Sequence, residues 1–443
     1  MSTTTATAAA TTTTVSPPPA DAAAATKRLV RRLLPLHAAV LLQNVGLWVP
    51  VEKLFLDEIG FDAASVGLMA AAYAAVVPLL EIPSGILADR WSRRGVLALA
   101  TLALLVSATI GGLSHSVTTY IVGAMFLGVF FALQSGTVDA VVYDTVLEET
   151  GNGDAFERRI GRIRMMESAG LVSSALAGGW LAAVTEPRLT YFLTLPFLVA
   201  SALALTAFRE PRLYRTAEHT SLRTHVATTY RTLTQRGCLL PLVGVMVLTS
   251  LLANMMFEFG PLWLVALSAP AVLYGPHFAG LTSSFGLAGL LAGRLRLGDP
   301  VGMAAVVAVM LGSSLVMTAV HDPVVVTAAQ VVLTVLAVML GILLTARLHD
   351  AVPSAIRAGV ASGIGTFTWI AFLPFGLLFG YVSKQVGVYT AGWMIVGATA
   401  VAGALLVRLS LTVQATSGAV AGTDAHADSP LSCPGTLALA PAN

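Results

Sequence analysis

The stretch EIPSGILADRWSRRGVLALA, residues 81–100, places four charged side chains between two apolar segments. The four are Asp89, Arg90, Arg93 and Arg94. Each flanking segment is apolar over about 20 residues, the length that an α-helix needs to cross roughly 30 Å of hydrocarbon. The stretch therefore predicts a short charged turn between two membrane-spanning helices.

Composition extends this prediction to the whole chain of 443 residues. It is 56% hydrophobic and only 11% charged, with a mean hydropathy of +0.81, whereas about a quarter of the residues in a soluble domain are charged. A net charge of +2 without a long basic run argues against nucleic-acid binding. Cys238 and Cys433 lack the spacing of a metal site or a disulfide framework. We expect neither a metal nor a cofactor.

Apolar segments long enough to span recur twelve times between the polar ends of the chain. Strand alternation is absent, and backbone polar groups in lipid must be satisfied within each segment, so the segments are predicted to be helices. The predicted spans are 34–56, 64–87, 95–113, 118–143, 165–185, 190–208, 239–265, 275–293, 300–319, 324–346, 358–381 and 388–408.

Basic residues predict the orientation of these spans. If the N-terminus is cytoplasmic, all but three of the 25 lysines and arginines fall in cytoplasmic segments, as the positive-inside rule requires. The exceptions are Lys53, Arg188 and Lys384. We expect a multi-pass protein of the cell (plasma) membrane with both termini in the cytoplasm.

A loop rich in arginine divides the spans six and six. The similar sequences LLQN at 41–44 and LLAN at 251–254 occupy matching places in the two halves, as an internal repeat predicts. The predicted organisation is a disordered N-terminal segment (1–33), an N-terminal six-helix bundle (34–208), a cytoplasmic linker (209–238), a C-terminal six-helix bundle (239–408) and a disordered cytoplasmic tail (409–443).

The residues from Gly85 to Arg94 resemble the loop signature of the major facilitator superfamily, G-x-L-a-D-r-x-G-r-k. The sequence departs from it at Ser92, where the family has a second glycine. The resemblance implies an all-α membrane protein of the MFS fold, with two six-helix bundles of twelve transmembrane helices around a central cavity. It is a marker of the superfamily and not of a substrate.

The same resemblance implies a gating motif that holds the two halves together at the cytoplasmic side. In the family, the loop aspartate faces the start of the eleventh span, and an arginine pairs with an acid at the end of the fourth. The matching positions here are Asp89 against residues 354–359, and Arg93 with Asp144. The alternative is that the arginines only fix the topology. The predicted motif comprises Gly85, Asp89, Arg90, Arg93, Arg94 and Asp144.

Small residues recur every fourth position on the fifth span (Gly170, Ser174, Gly178) and on the eighth (Gly280, Ser284, Ala288). Such faces allow close helix packing. The superfamily brings these two spans together across the halves, which implies that the two smooth faces meet there.

Polar residues on the first and seventh spans predict a substrate cavity. Asn44, Trp48 and Glu52 follow the spacing i, i+4, i+8 and share one face of an unbroken helix, while Asn254 and Glu258 share a face of the seventh. The family's cavity is lined by the first, fourth, seventh and tenth spans. The predicted cavity residues are Asn44, Trp48, Glu52, Gln134, Asn254 and Glu258, with Thr334 nearby.

Acidic side chains within the spans are candidates for proton coupling, because a carboxylate at membrane depth needs a partner or a function. The candidates are Glu258, Asp139 and Glu81. A structural ion-pair network with Arg162 or Arg164 is an open alternative for the last two. Glu52 could instead be an interfacial residue beside Lys53. No basic neighbour of Glu258 is evident in the sequence, so Glu258 is expected to be the coupling carboxylate, with Asn254 bonding to it.

The sequence contains no Walker loop, GxSxG elbow or HExxH helix. The protein is therefore expected to be a secondary transporter rather than an enzyme, working by alternating access and exporting small amphipathic molecules in exchange for protons. A metabolite importer or uniporter is the alternative, and a membrane receptor or scaffold without flux is a remote one. The expected partners are the substrate, protons and the lipid bilayer; a monomer is expected.

Overall fold

The computed structural model describes residues 19–151, 155–211, 240–292, 294, 296–351 and 357–420, and all regular structure within these residues is helical. Short 3-10 turns lie at Val49–Val51 and Ala271–Leu273. The α-helices are α1 (Pro19–Gln43), α2 (Glu52–Glu58), α3 (Ala63–Arg90), α4 (Arg93–Leu113), α5 (Val117–Gln134), α6 (Thr137–Thr150), α7 (Phe156–Val184), α8 (Pro187–Ala207), α9 (Leu240–Phe259), α10 (Pro261–Ala266), α11 (Tyr274–Ala292), α12 (Pro300–Ala319), α13 (Pro323–Ala351), α14 (Arg357–Val386) and α15 (Val388–Val420).

Each predicted span coincides with one helix or with two helices in series. Within the described ranges, nine stretches are long and apolar enough to cross a bilayer. Side chains cap several of the helices where they begin: Asp62 and Ser65 form a reciprocal capping box at α3, and Ser92 and Ser116 cap α4 and α5. These caps satisfy amide groups that the first helical turn leaves without acceptors.

Three predicted spans are interrupted. The first breaks between Gln43 and Glu52, the fourth at Gly136, and the seventh between Phe259 and Pro261. Gly136 has φ = 68°, a left-handed conformation that glycine adopts without the steric cost of a Cβ. Pro261 lacks the N–H that an uninterrupted helix would need. The prediction that Asn44, Trp48 and Glu52 share one face of a continuous helix is therefore wrong.

The helices form two bundles, α1–α8 and α9–α15, that meet along two pairs, α3 with α14 and α7 with α11. Glycines bring the backbones together in both pairs. A Cβ at Gly380 would lie 2.5 Å from the carbonyl oxygen of Ala63, and a Cβ at Gly179 would lie 2.6 Å from Cα of Gly275. Both contacts lie at the end of the bundles that carries α2 and Lys384. We call it the opposite end, and we call the other the arginine end, after Arg93 and Arg164.

The smooth faces predicted on the fifth and eighth spans do not meet each other. Gly170 and Gly178 pack against the backbone at Leu41 and Leu47, in the same half, and Gly280 packs against Val331 of α13. The neighbouring face of α7, at Gly179, makes the contact between halves. The prediction selected the correct pair of helices and the wrong faces.

Both predicted disordered ends contain helix. α1 begins at Pro19, and Leu29 and Leu33 are fully buried in a cluster with Val141 and Phe208, so residues 19–33 belong to the first bundle. At the other end, α15 continues to Val420 and buries Leu409 and Val413. At both ends, individual apolar side chains pack on neighbouring helices. The average composition of each end, from which disorder was predicted, does not show this packing. Most of the predicted linker, 212–238, lies outside the described residues.

Candidate substrate cavity and charge network

A cavity of about 420 Å³ lies between the two bundles. Its wall is largely apolar, with several aromatic rings and a smaller number of polar side chains, the composition typical of small-molecule sites. Five of the six predicted cavity residues line it, namely Asn44, Trp48, Glu52, Asn254 and Glu258. Aromatic side chains of both halves complete the wall, among them Tyr73, Phe131, Phe257, Phe278, Phe285 and Trp369.

One buried lysine joins two glutamates from different halves. Nζ of Lys53 lies 2.6 Å from Oε2 of Glu52 and 2.6 Å from Oε1 of Glu258. The lysine side chain is 2% exposed, and the glutamates are 15% and 12% exposed. Because a buried charge is costly without partners, the three groups form one unit, which we call the Lys53 network.

Tyrosine hydroxyls satisfy the remaining carboxylate oxygens of the Lys53 network. Tyr73 donates to Oε2 of Glu258 over 2.7 Å, and Tyr120 donates to Oε1 of Glu52 over 2.8 Å. The hydroxyl of Tyr191 lies 2.7 Å from that of Tyr120, and its ring stacks on Trp48 with centroids 5.1 Å apart. Each carboxylate thus accepts one bond from the lysine and one from a phenol.

The break in the first span places Lys53 in the interior. The amide of Asn44 donates to the carbonyl oxygen of Val40 at the end of α1, over 2.8 Å. The chain then changes direction through the 3-10 turn into α2, and Lys53 points between the halves. The expectation that Glu258 has no basic partner is therefore wrong. The position of Lys53 inside the predicted span 34–56 was the available signal for this partner, since charged residues within a span are functional by default. Tyr73, Tyr120 and Tyr191 were not identified from the sequence as members of the site.

The Lys53 network separates the central cavity from a smaller pocket. Lys53 lines both the cavity and a pocket of about 220 Å³ at the opposite end, which Asp62, Leu262 and Val388 also line. In the other direction, Asn254, Phe257 and Phe285 line both the cavity and a second space of about 460 Å³, which continues to Leu348. The cavity thus extends toward the arginine end, with the network at its other limit.

Gln134 was predicted to line the cavity and Thr334 to lie near it, but neither is among its lining residues. Gln134 ends α5 at the break of the fourth span and is not among the lining residues of the described cavities. Thr334 is buried, and its hydroxyl donates to the carbonyl oxygen of Gln330 within α13, over 2.7 Å. The break of the fourth span accounts for Gln134, whereas α13 is continuous and Thr334 is buried on it away from the cavity.

The gating motif is described in part. Arg93 forms an ion pair with Asp144, with side chains 13% and 17% exposed. The side chains of Asp89 and Arg90 and residues 352–356 lie outside the described part of the chain, so the predicted contact of Asp89 with residues 354–359 does too. Among the described residues, no atom comes within 4 Å of a Cβ built on Gly85. Arg94 donates to the carbonyl oxygen of Phe208 over 3.2 Å.

The departure at Ser92 is accommodated without strain. Ser92 has φ = −171°, which any residue adopts, and its hydroxyl accepts from the amide of Gly95 over 2.9 Å. It also donates to Glu210 over 2.8 Å, and Glu210 accepts from the backbone amides of Arg93 and Arg94. A serine cap and a carboxylate at the start of α4 are both favourable positions.

The other acidic candidates lie toward the arginine end. Asp139 pairs with Arg164 over 2.8 Å, and Arg164 also contacts Glu167 at 3.0 Å. Glu81 accepts from Thr366 of the other half over 3.2 Å. Arg164 was one of the two partners that the sequence suggested. The arrangement matches the structural ion-pair alternative for Asp139, whose side chain is 46% exposed.

A second charged contact joins the halves at the opposite end. Nζ of Lys384, in the last turn of α14, lies 2.8 Å from Oδ2 of Asp62, which caps α3. The bond from Lys384, followed by the backbone amide of Ser65, lowers the pKa of Asp62 from 3.8 to about 2. Both side chains are about half exposed, so this contact is weaker than the buried network.

Two helical bundles around a cavity with buried charges define a multi-pass membrane protein whose site lies between its halves. The chain belongs to the Major Facilitator Superfamily, whose family model matches residues 33–370. The expectation drawn from residues 85–94 is confirmed.

Relatives and solved structures agree with this family. Multidrug resistance protein 1 of Bacillus subtilis is 26% identical over 169 residues, 38% of this chain and 42% of that protein. Quinolone resistance protein NorA of Staphylococcus aureus is 21% identical over 165 residues, 37% of this chain and 39% of its own length. The matches thus span about two fifths of these curated relatives.

Structures similar over nearly their whole length are the nucleoside transporter NupG (TM-score 0.69, 14% identity, 85% of this chain and 99% of that one) and an inward-facing, unoccupied bacterial homologue of the human lysosomal transporter Spinster (TM-score 0.69, 13% identity, 87% and 97%). A D-xylose–proton symporter has a TM-score of 0.65 at 12% identity, over 87% and 97%. At these identities the likeness shows the fold alone.

Proposed function

We propose that the protein is a secondary transporter, and not an enzyme, that exports small amphipathic molecules by alternating access in exchange for protons. The observation that carries the proposal is the Lys53 network in the cavity wall, with Glu52 and Lys53 from one half and Glu258 from the other. The similarity to multidrug and quinolone resistance proteins supports export of amphipathic compounds.

The charges of the Lys53 network supply a physical reason for exchange. Two carboxylates and one ammonium sum to −1, so one proton or one cationic substrate neutralises the site. A proton on Glu258 weakens its hold on Lys53 and removes the charge that would attract a cation. Proton and cation therefore compete for the same unit, which is the requirement for antiport.

The position of the Lys53 network connects this competition to alternating access. Lys53 and Glu258 belong to different halves and lie between the cavity and the pocket at the opposite end. When the halves separate there, the ion pair must break, because its donor and acceptor move apart. A proton or substrate that stabilises the separated carboxylate lowers the free energy of that step.

The aromatic wall supports an amphipathic substrate. Rings bury apolar surface and attract a cation through their π-faces, an attraction of about 0.5–2 kcal/mol at each contact. Trp48 of the first half and Phe257 and Trp369 of the second half all line the cavity, so a molecule of modest size can contact both halves. The cavity volume of about 420 Å³ suits such a ligand.

The substitution Glu258→Gln tests the proposal, because it keeps the shape of the side chain and removes its charge. In inverted vesicles with an imposed pH gradient, we expect the parent to accumulate a lipophilic monocation such as tetraphenylphosphonium, and Glu258→Gln to lose accumulation while retaining passive exchange. Glu186→Gln, an exposed acid at the opposite end, is the matched control. Accumulation by Glu258→Gln equal to the parent at every pH contradicts the coupling role, uptake in the other direction indicates an importer, and no flux indicates a receptor or scaffold.

The proposed setting is the plasma membrane, with the arginine end and both termini in the cytoplasm, as the distribution of basic residues predicts. In a cysteine-free background, an impermeant thiol reagent added outside should label Thr185→Cys, which is exposed at the opposite end, and should not label Thr216→Cys in the predicted linker. Reversed labelling contradicts the orientation.

A further inference from the structure

A buried polar pair in the second half holds the break of the seventh span. His277 of α11 and Gln330 of α13 are 1% and 0% exposed. Nε2 of His277 lies 2.6 Å from Oε1 of Gln330, and Nε2 of Gln330 donates over 3.2 Å to the carbonyl oxygen of Gly260, between α9 and α10. A short chain of hydrogen bonds thus connects three spans.

The donor pattern follows from this chain. The amide nitrogen of Gln330 faces Gly260, so its oxygen faces His277, and His277 must donate from Nε2. In the neutral ring, Nδ1 of His277 then carries no proton, and it is buried without a hydrogen-bond partner among the described residues. Such an incompletely satisfied polar group costs free energy in a core, so the pair is not explained by packing alone.

The junction at Gly260 is too tight to admit a side chain. A Cβ there would lie 2.3 Å from the carbonyl oxygen of Met256 and 2.9 Å from Oε1 of Gln330. Glu258 lies two residues before this junction, in the last turn of α9. Because α10 packs against α2, which carries Lys53, the angle between α9 and α10 sets the position of Lys53 relative to the carboxylate of Glu258.

The same pair is close to the contact between the halves. Gly275, two residues before His277 on α11, packs against Gly179 and the carbonyl oxygen of Ala175 on α7. A movement of α11 away from α7 carries His277 with it. Through Gln330, that movement reaches Gly260 and hence Glu258.

We infer that His277 and Gln330 are positioning residues: they hold the α9–α10 junction so that Glu258 reaches Lys53, and they connect the α7–α11 contact to that ion pair. The importance of this positioning for transport rests on the proposed function of Glu258. The geometric claim does not, and the first experiment addresses the geometry alone.

The experiment measures the Lys53 network directly by solid-state NMR in lipid. The chain has three lysines, Lys27, Lys53 and Lys384, so 15Nζ-lysine and 13Cδ-glutamate labelling gives a simple spectrum. In the parent, Nζ of Lys53 couples to two carboxyl carbons. In Gln330→Leu and His277→Leu we expect this coupling to fall to the level of Glu258→Gln, where only Glu52 remains.

Two variants distinguish positioning from a general structural role. His277→Gln keeps an N–H where Nε2 lies, and should retain the parental coupling. Thr334→Val, one turn along α13 from Gln330 and equally buried, removes a local hydrogen bond and should also retain it. Parental coupling in both leucine variants, or an equal loss in Thr334→Val, overturns the inference. If one leucine variant does not fold, the other decides.

Transport then separates this inference from the proposed function. We expect Gln330→Leu to shift the pH of half-maximal gradient-driven uptake, and His277→Gln to restore the parental profile. Loss of the NMR coupling with an unchanged pH profile supports the positioning role and contradicts the function proposed for Glu258. Retained coupling contradicts the positioning role, whatever transport does.

Discussion

Lys53 lies 2.6 Å from a carboxylate of each half. The three charged groups of the Lys53 network form the unit on which the proposed mechanism depends. Removing one member of a buried pair costs about 3–5 kcal/mol, because the other charge is left without compensation. The sequence predicted Glu52 and Glu258 as cavity residues but assigned Lys53 to the outside. Spacing along an assumed straight helix gives no information on where a side chain points after the helix breaks.

Asp62 gives a pH test at the residue scale. Its pKa is lowered from 3.8 to about 2 by Lys384 and Ser65, so the folded protein favours the carboxylate. The stabilisation is fully present above about pH 4 and is lost as the pH falls toward about 2. At pH 6, the free energy of unfolding of Asp62→Asn should be lower than that of the parent by less than about 1 kcal/mol, because the side chain is half exposed.

Thermal unfolding in detergent across this pH range checks the prediction. The difference in stability between the parent and Asp62→Asn should disappear as the pH falls from about 4 to about 2. Glu186→Gln serves as the control and should show no such trend. A gap that stays constant with pH would mean that the lost interaction does not depend on the charge of Asp62.

At the scale of elements, apolar length predicted the helices but none of their breaks. Gly260 followed by Pro261 is a strong breaking signal, whereas the break at Gly136 has no proline to announce it. The pairing of Arg93 with Asp144, which the family resemblance implied, is present in the structure. The function of this ion pair as a gate, like that of Asp89, stays a prediction. We expect Asp89→Asn to lower transport several-fold.

A double-mutant cycle tests the contact between α4 and α6. Because Arg93 and Asp144 are largely buried, we expect Arg93→Ala and Asp144→Ala to be non-additive by about 1–3 kcal/mol in unfolding free energy. The more exposed pair Arg164 and Asp139, also at the arginine end, is the control, with an expected coupling below about 1 kcal/mol. Additive effects at Arg93 and Asp144 exclude them as partners.

The α3–α14 contact offers a second test at this scale. Gly380→Ala places a methyl group 2.5 Å from the carbonyl oxygen of Ala63, so the halves must part at the opposite end. Gly365→Ala on the same helix meets no atom of the described residues within 4 Å and is the control. Labelling of Asn254→Cys in the cavity by an impermeant reagent applied from the opposite end should rise in Gly380→Ala alone. Unchanged labelling contradicts a sealing role for Gly380.

For the whole molecule, the sequence predicted the helical fold and the family, because both depend on hydrophobicity and on the charged loop. It did not predict the faces along which the halves meet, because close approach at Gly67, Gly179, Gly275 and Gly380 depends on which helix faces turn toward each other. In the resulting arrangement the halves are in contact at the opposite end, and the cavity continues toward the arginine end. In the proposed orientation, it would receive substrate from the cytoplasm.

Substrate-driven proton movement is the most direct test of the central claim, that Glu258 exchanges a proton for substrate across the Lys53 network. Proteoliposomes containing a pH-sensitive dye, with no imposed pH gradient, receive a gradient of tetraphenylphosphonium. We predict that the parent and Glu186→Gln move protons against the flow of the cation, and that Glu258→Gln transports the cation without proton movement. Proton movement in Glu258→Gln equal to that of the parent would contradict the account.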